Sequence, residues 1–175
     1  MRAVSDYRRL FVPGGCYFFT VVCYRRRNNF ATEANVNLLR EAFRRVKARH
    51  PFEIQAMVVM PDHLHCLWRL PEGDADFSTR WRDIKNWVSR RIETPANHRG
   101  KKAVCQRRFW EHAIRDDDDW ARHVDYIHYN PVKHGYATAA ADWPFSSFRK
   151  AVQEGWYDPD WGRAEPEEVK GLSWE

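Results

Sequence analysis

His63-Leu64-His65 is the first place in the chain where side-chain type and spacing could do chemistry. Residues two apart on a strand point to one face, so both imidazoles would converge on a point while Leu64 and Cys66 turn away. Imidazole is the commonest metal-binding side chain, and a pair at this spacing can hold a divalent ion without distorting the strand. The tripeptide alone serves equally as hydrogen-bonded surface or core histidine, so the site needs further members. Tyr126 and Asn130 supply candidates, because four residues apart on a helix share one face. An amide oxygen suits a third ligand position, and a phenol one turn away would lie near whatever the ion polarises. Tyr129 is the competing phenol, but as the neighbour of Asn130 it points about 100° away. A plainer reading has Tyr126 packing at a sheet edge and Asn130 ending the helix before Pro131. Together, two imidazoles, an amide and a phenol suggest phosphodiester chemistry in which tyrosinate attacks a metal-polarised phosphorus and leaves a phosphotyrosine. A free phenol titrates near about 10, so a base or the ion must help remove its proton. His123, one turn before Tyr126, is available for that, or is simply a surface histidine.

The elements that must position these residues follow from periodicity. Gly15 to Tyr24, dense in aromatic and β-branched residues after the Pro13-Gly14-Gly15 breaker, reads as a buried strand. Thr32 or a neighbour caps a helix over 33–49, closed by Pro51. Two apolar runs, Glu53 to Met60 and His63 to Leu70, meet at Pro61-Asp62 as an antiparallel hairpin. A second helix over 77–93 carries Trp81, Ile84, Trp87, Val88 and Ile92 on one stripe. A short fourth strand is expected over 108–114. The aspartates 116–119 then cap a third helix that Pro131 should stop. The order β-α-β-β-α-β plus a helix predicts an α+β, ferredoxin-like or RRM-like split βαβ fold. Its antiparallel sheet would carry two helices on one face, with the added tyrosine-bearing helix following. That plan serves many functions and settles none.

Length and charge narrow the class. With 175 residues, 43% hydrophobic and 30% charged, the chain suits about one globular domain and one site. Four scattered cysteines, with no CxxC pair, argue against disulfides or structural zinc. No apolar run approaches the roughly 20 residues of a membrane helix, so a cytoplasmic protein without a membrane partner is expected. The first 150 residues hold 27 Lys+Arg against 17 Asp+Glu, whereas the last 25 hold 2 against 7. A basic body with nine tryptophans suits a polyanion that has flat rings; a solvated basic surface over a tryptophan core explains the same composition.

Four motifs in order then carry a resemblance: Met60 to Trp68 (MPDHLHCLW), Arg108 to Arg115 (RFWEHAIR), Val124 to Gly135 (VDYIHYNPVKHG) and Asp142 to Phe148 (DWPFSSF). The chain resembles the REP-associated tyrosine transposases, relatives of the single-tyrosine HUH transposases of insertion sequences, over about residues 5–160. The resemblance implies a nuclease and strand transferase dependent on Mg²⁺ or Mn²⁺. Its substrate would be single-stranded DNA folded into repetitive extragenic palindrome (REP) hairpins, and it would associate with the nucleoid when bound to DNA. By position, His63 and His65 match the metal ligands, Tyr126 the nucleophile and Asn130 the polar metal-side residue. Tyrosine would take the 5′ phosphate and leave a 3′ hydroxyl.

Arg8, Arg9, Arg25, Arg26 and Arg27 bracket the first strand and are candidates to clamp the DNA, or form a solvated rim. The expected organisation is a transposase domain over 1–150 and an acidic aromatic tail over 151–175. Trp143-Pro144-Phe145 is expected to anchor that C-terminal segment by packing. The segment Trp156 to Trp161 could mimic DNA by folding across the basic site. The alternative to an enzyme is a non-catalytic single-stranded DNA or RNA binder, which the same sheet also suits.

Overall fold

A computed structural model of the chain describes residues 9–96 and 102–174. Arg8 lies outside them. Strands β1 (Cys16–Val22), β2 (Glu53–Val59), β3 (His63–Arg69) and β4 (Trp110–Ala113) form one antiparallel sheet in the order β2-β3-β1-β4. Helices α1 (Glu33–Arg49) and α2 (Phe77–Ser89) link them in the split βαβ plan, followed by α3 (Asp117–Lys133) and the short α4 (Phe148–Gln153). No helix among the described residues is long and apolar enough to cross a membrane.

The strands are apolar nearly throughout because both faces of the sheet are covered. Tyr17, Phe19 and Val21 of β1 join Leu64, Cys66 and Trp68 of β3 on the face packed by α1 and α2, where the Trp68 and Trp81 rings stack at 4.5 Å. Cys16 and Phe18, with Leu67, Ala56 and Val58, face the other way and pack against Val124, Tyr126 and Ile127. That second face, which the split plan alone would leave open, is closed by α3 and the C-terminal segment. The four cysteines are free and buried.

Local signals place the helix starts. The Thr32 hydroxyl accepts the Asn35 N–H at 3.3 Å, Asp76 accepts from Thr79 at 2.9 Å, and Asp116 accepts from Asp119 at 2.8 Å. Several ends differ from expectation, and α2 closes at Ser89 rather than at 93. β4 spans 110–113 rather than 108–114, with Arg108 and Phe109 left in the preceding segment. Pro131 does not stop α3; it sits in the last turn, and the helix runs on to Lys133. The stop is Gly135 at φ 72°, where the Gly135 N–H reaches the Val132 carbonyl at 3.0 Å and the Tyr136 N–H reaches Pro131 at 2.9 Å. This paired cap requires the left-handed conformation that glycine adopts freely.

Trp143 anchors the chain beyond α3 as expected, its indole N–H donating to the Val59 carbonyl at 3.0 Å. The segment Trp156 to Trp161 does not fold across the basic surface. Trp156 meets Trp120, Tyr157 bonds Asp125, and Trp161 packs on Tyr129 and Phe148, so its rings bury against α3 and α4.

Candidate active site

β3 opens at His63, opposite Val22 of β1, and His65 lies opposite Thr20. The period of two turns both rings to the α3 side, with centroids 4.9 Å apart. α3 brings Tyr126 and Asn130 onto the same spot. Both are buried, the Tyr126 ring lies 5.2 Å from that of His65, and Asn130 Oδ1 stands 3.3 Å from His63 Nε2. The four sequence candidates are therefore together, and Tyr129 instead packs by Trp161.

The hydrogen bonds settle which imidazole nitrogen carries a proton. The Thr20 hydroxyl has one hydrogen, and its 2.6 Å contact to the Trp174 carbonyl, which can only accept, uses it. His65 Nδ1, 2.9 Å from the same hydroxyl oxygen, must then be the donor. His65 Nε2 is left as a buried lone pair with no hydrogen-bond partner. His63 Nδ1 lies 2.6 Å from the Asp62 carboxylate, which again holds the proton on Nδ1 and turns the Nε2 lone pair inward. Burial depresses the His65 pKa well below the usual imidazole value and keeps it neutral. For Asp62, burial raises the pKa, but hydrogen bonds from His63 and Arg26 outweigh it and leave a carboxylate. Two imidazoles and an amide oxygen converging on one point are a donor set that suits a divalent cation.

Two residues at the phenol were not foreseen. The Tyr126 oxygen accepts from Lys133 Nζ at 3.2 Å and from the Trp174 N–H at 3.1 Å. Lys133 follows Tyr126 by seven residues, two helical turns, so its position on the same face was legible. Trp174 arrives from the chain terminus and had no local signal.

His123 is buried, not on the surface. Its ring stacks on Trp174 at 4.1 Å and on His112 at 4.8 Å, and its Nδ1 donates to the Asp119 carbonyl at 2.7 Å. Burial first, then the charge of nearby His112, outweighs that bond and lowers the His123 pKa to about 4. Asp119 accepts from His112 Nε2 at 2.8 Å and from Arg115 at 3.1 Å. Burial opposes its charge, but these bonds prevail and hold the carboxyl well below its usual range. His112, Asp119 and His123 form a group, with ligand atoms within 4.8 Å of one another, that can chelate a divalent ion. It lies on the same sheet face as the His63–His65 pair, with the Phe18 ring 4.7 Å from His123 and 5.4 Å from His65.

The arginines are dispersed. Arg26 pairs with Asp62 at 3.2 Å and so adjoins the imidazole site, while Arg25 is exposed. Arg27 is engaged by Thr94 and the Pro95 carbonyl, and Arg9 pairs with Glu111 at 3.1 Å.

Comparison with known proteins agrees with this geometry. The family described as "Transposase IS200 like" matches residues 14–115. A REP-associated tyrosine transposase of Escherichia coli (strain K12) is 49% identical over 158 residues, 90% of this chain and 91% of that protein. A Haemophilus influenzae relative of the same group is 41% identical, over 96% of this chain and 99% of its own length. A solved REP-associated tyrosine transposase bound to a REP hairpin superposes with a TM-score of 0.80 at 44% identity, covering 97% of this chain and 99% of that one. The chain belongs to the REP-associated tyrosine transposases, single-tyrosine HUH enzymes.

Proposed function

We propose that Tyr126 is the nucleophile of a metal-dependent single-stranded DNA endonuclease and strand transferase acting on REP-type hairpins. His63, His65 and Asn130 would hold the Mg²⁺ or Mn²⁺. The observation that carries this reading is the phenol ring 5.2 Å from an imidazole whose inward nitrogen has no hydrogen. A hairpin substrate is supported by the relative that is bound to one.

In the reaction, the Tyr126 oxygen gives up its proton and forms a bond to the scissile phosphorus, and the bond from phosphorus to the 3′ oxygen breaks. The 5′ end stays on the enzyme as a phosphotyrosine, and the departing 3′ oxygen takes up a proton. One phosphate ester replaces another, so a second 3′ hydroxyl can reverse the step and join without ATP. His63, His65 and Asn130 would hold a divalent ion, which when bound would supply Lewis-acid stabilisation of the phosphate charge. Asp62 and Thr20 orient the two imidazoles, and Lys133 places a positive charge at the oxygen that must become anionic.

The test is incubation with an end-labelled hairpin oligonucleotide and Mn²⁺ or Mg²⁺, resolved on a denaturing gel. A labelled protein species is expected with metal and none with EDTA. Tyr126→Phe should retain DNA binding and form no adduct. Cleavage without an adduct, or binding alone in the native chain, would refute the assignment.

A further inference from the structure

The four cysteines are scattered in sequence, but the fold brings two of them face to face. Cys23, just past β1, and Cys105 form an antiparallel bridge beyond the ends of the strands. On either side of it, the Tyr24 N–H donates to the Val104 carbonyl at 2.9 Å and the Gln106 N–H to the Val22 carbonyl at 2.8 Å. Backbone bonds that flank a pair in this way make Cys23 and Cys105 a non-hydrogen-bonded pair. Such residues stand closest across an antiparallel ladder, about 4.5 Å between Cα atoms, with both side chains on one face. A disulfide bridges Cα atoms roughly 4.4–6.8 Å apart, so this separation is within its reach. Both thiols lie in the apolar cluster packed by α1 and α2. Burial, and after it the charge of Cys105, push the Cys23 thiol up. The other two cysteines have no such neighbour, since Cys16 lies opposite Arg69, and Cys66 opposite Phe19 and Met57.

The two sulfurs differ in access. Cys23 is fully enclosed, whereas Cys105 lines a cavity of about 640 Å³ between α2 and the segment 102–109, whose wall also carries Arg9, Arg82, Lys85 and Arg108. Burial raises the Cys105 pKa to about 11, and the nearby Lys85 ammonium acts the other way. A small oxidant entering this basic cavity therefore reaches Cys105 first. Because little of that thiol is ionised at neutral pH, the attack is slow.

We infer that Cys23 and Cys105 are a modification site, an oxidisable dithiol that closes to an intrachain disulfide at the end of the sheet. With a peroxide as the two-electron oxidant, the Cys105 thiolate attacks one peroxide oxygen. The O–O bond breaks, a sulfenic acid forms, and the other oxygen leaves as water with the proton the thiol gave up. The Cys23 sulfur then attacks the Cys105 sulfur, the S–S bond forms, and the sulfenic hydroxyl departs as a second water with the Cys23 proton. The link encloses α1, β2, β3 and α2 in one covalent loop. Closing so long a loop stabilises the fold by restricting the unfolded chain. It also braces the sheet end beside the imidazoles, because the Cys23 N–H donates to the carbonyl of Asp62, whose carboxylate holds His63. The transferase chemistry uses neither sulfur.

The test treats the full native chain with hydrogen peroxide, alkylates the remaining thiols and maps peptides without reduction. Thiols counted in denaturant should fall from four to two, with one cross-linked peptide joining Cys23 to Cys105, and dithiothreitol should restore all four. The thermal midpoint of the oxidised chain should lie about 5 °C or more above that of the reduced chain. Cys105→Ala should keep its three thiols unlinked under the same treatment and show no shift between its own treated and untreated forms. Four thiols surviving in the native chain would overturn the inference, as would a sulfinic acid at Cys105 with Cys23 still free. So would a link that forms only in urea, a link between other cysteines or between two chains, or a linked chain whose midpoint is unchanged or lowered.

Discussion

At the scale of single residues, the site is defined by where protons cannot be. Thr20 and Asp62 each force an imidazole to keep its hydrogen on Nδ1, which points both Nε2 lone pairs toward Asn130 and Tyr126. Outer partners of this kind commonly set metal affinity within a factor of about 10 to 100. Asp62→Ala should therefore raise the Mn²⁺ concentration for half-maximal adduct formation by about tenfold or more, with DNA binding little changed. Lys133 touches the phenol oxygen directly, and removing a donor that stabilises developing negative charge costs about 100- to 1,000-fold in rate. Lys133→Met should slow adduct formation by that amount. The measurement belongs in a chain lacking residues 170–175, where the second bond from Lys133 to the Leu172 carbonyl no longer contributes. The His63–His65 and Tyr126–Asn130 pairs were legible because each obeys the period of its own element. His112 and Asp119 were not, since one sits on β4 and the other on α3 and only packing joins them.

At the scale of elements, α3 does two jobs that its sequence encodes on different faces. Val124 and Ile127 bury against the sheet, and Tyr126 and Asn130 enter the site beside them. The last residues then close over that site. Trp174 stacks on His123, approaches the Tyr126 ring at 4.6 Å and donates its backbone N–H to the phenol oxygen. Lys133 and this N–H together occupy both acceptor positions of the phenol oxygen, so bond formation to phosphorus requires one of them to give way. Truncation after Val169 should raise the initial rate of adduct formation several-fold, and Trp174→Ala should reproduce part of the gain. An unchanged or lower rate in both would show that the tail does not obstruct. The charge reversal of the tail pointed to a segment folded over the site, but the contact is made by an indole and backbone groups rather than by the Trp156 to Trp161 stretch. Aromatic residues there found a nearer apolar surface on α3 and α4, and burying those rings outweighs their carboxylates' attraction to distant arginines.

At the scale of the whole molecule, several imidazoles are buried neutral. Burial lowers the His128 pKa from 6.5 to about 3, with its Nε2 2.8 Å from the Ser147 hydroxyl, and His123 falls to about 4. A histidine depressed on folding binds its proton more tightly in the unfolded chain. Its contribution is therefore complete above about pH 6.5 and is lost as the pH falls toward the folded value, at up to about 1.4 kcal/mol per pH unit per histidine. Urea unfolding should show stability falling between pH 7 and pH 5, and His128→Gln should flatten that slope even though it lowers stability at pH 7.

What the sequence determined by itself was everything governed by neighbours along the chain. That includes the strand that faces two imidazoles one way, the helix that stacks Tyr126 above Asn130, the side-chain caps of α1 and α3 and the order of elements that implies the split βαβ sheet. The tertiary structure decided the meeting of those two pairs on one sheet face, the tail's grip on the phenol, the His112–Asp119–His123 group and the basic cavity beside α2. Periodicity constrains residues a few positions apart. Contacts between positions 20, 65, 126 and 174 exist only because burial of both sheet faces brings β1, β3, α3 and the chain end together, and no local pattern records that geometry.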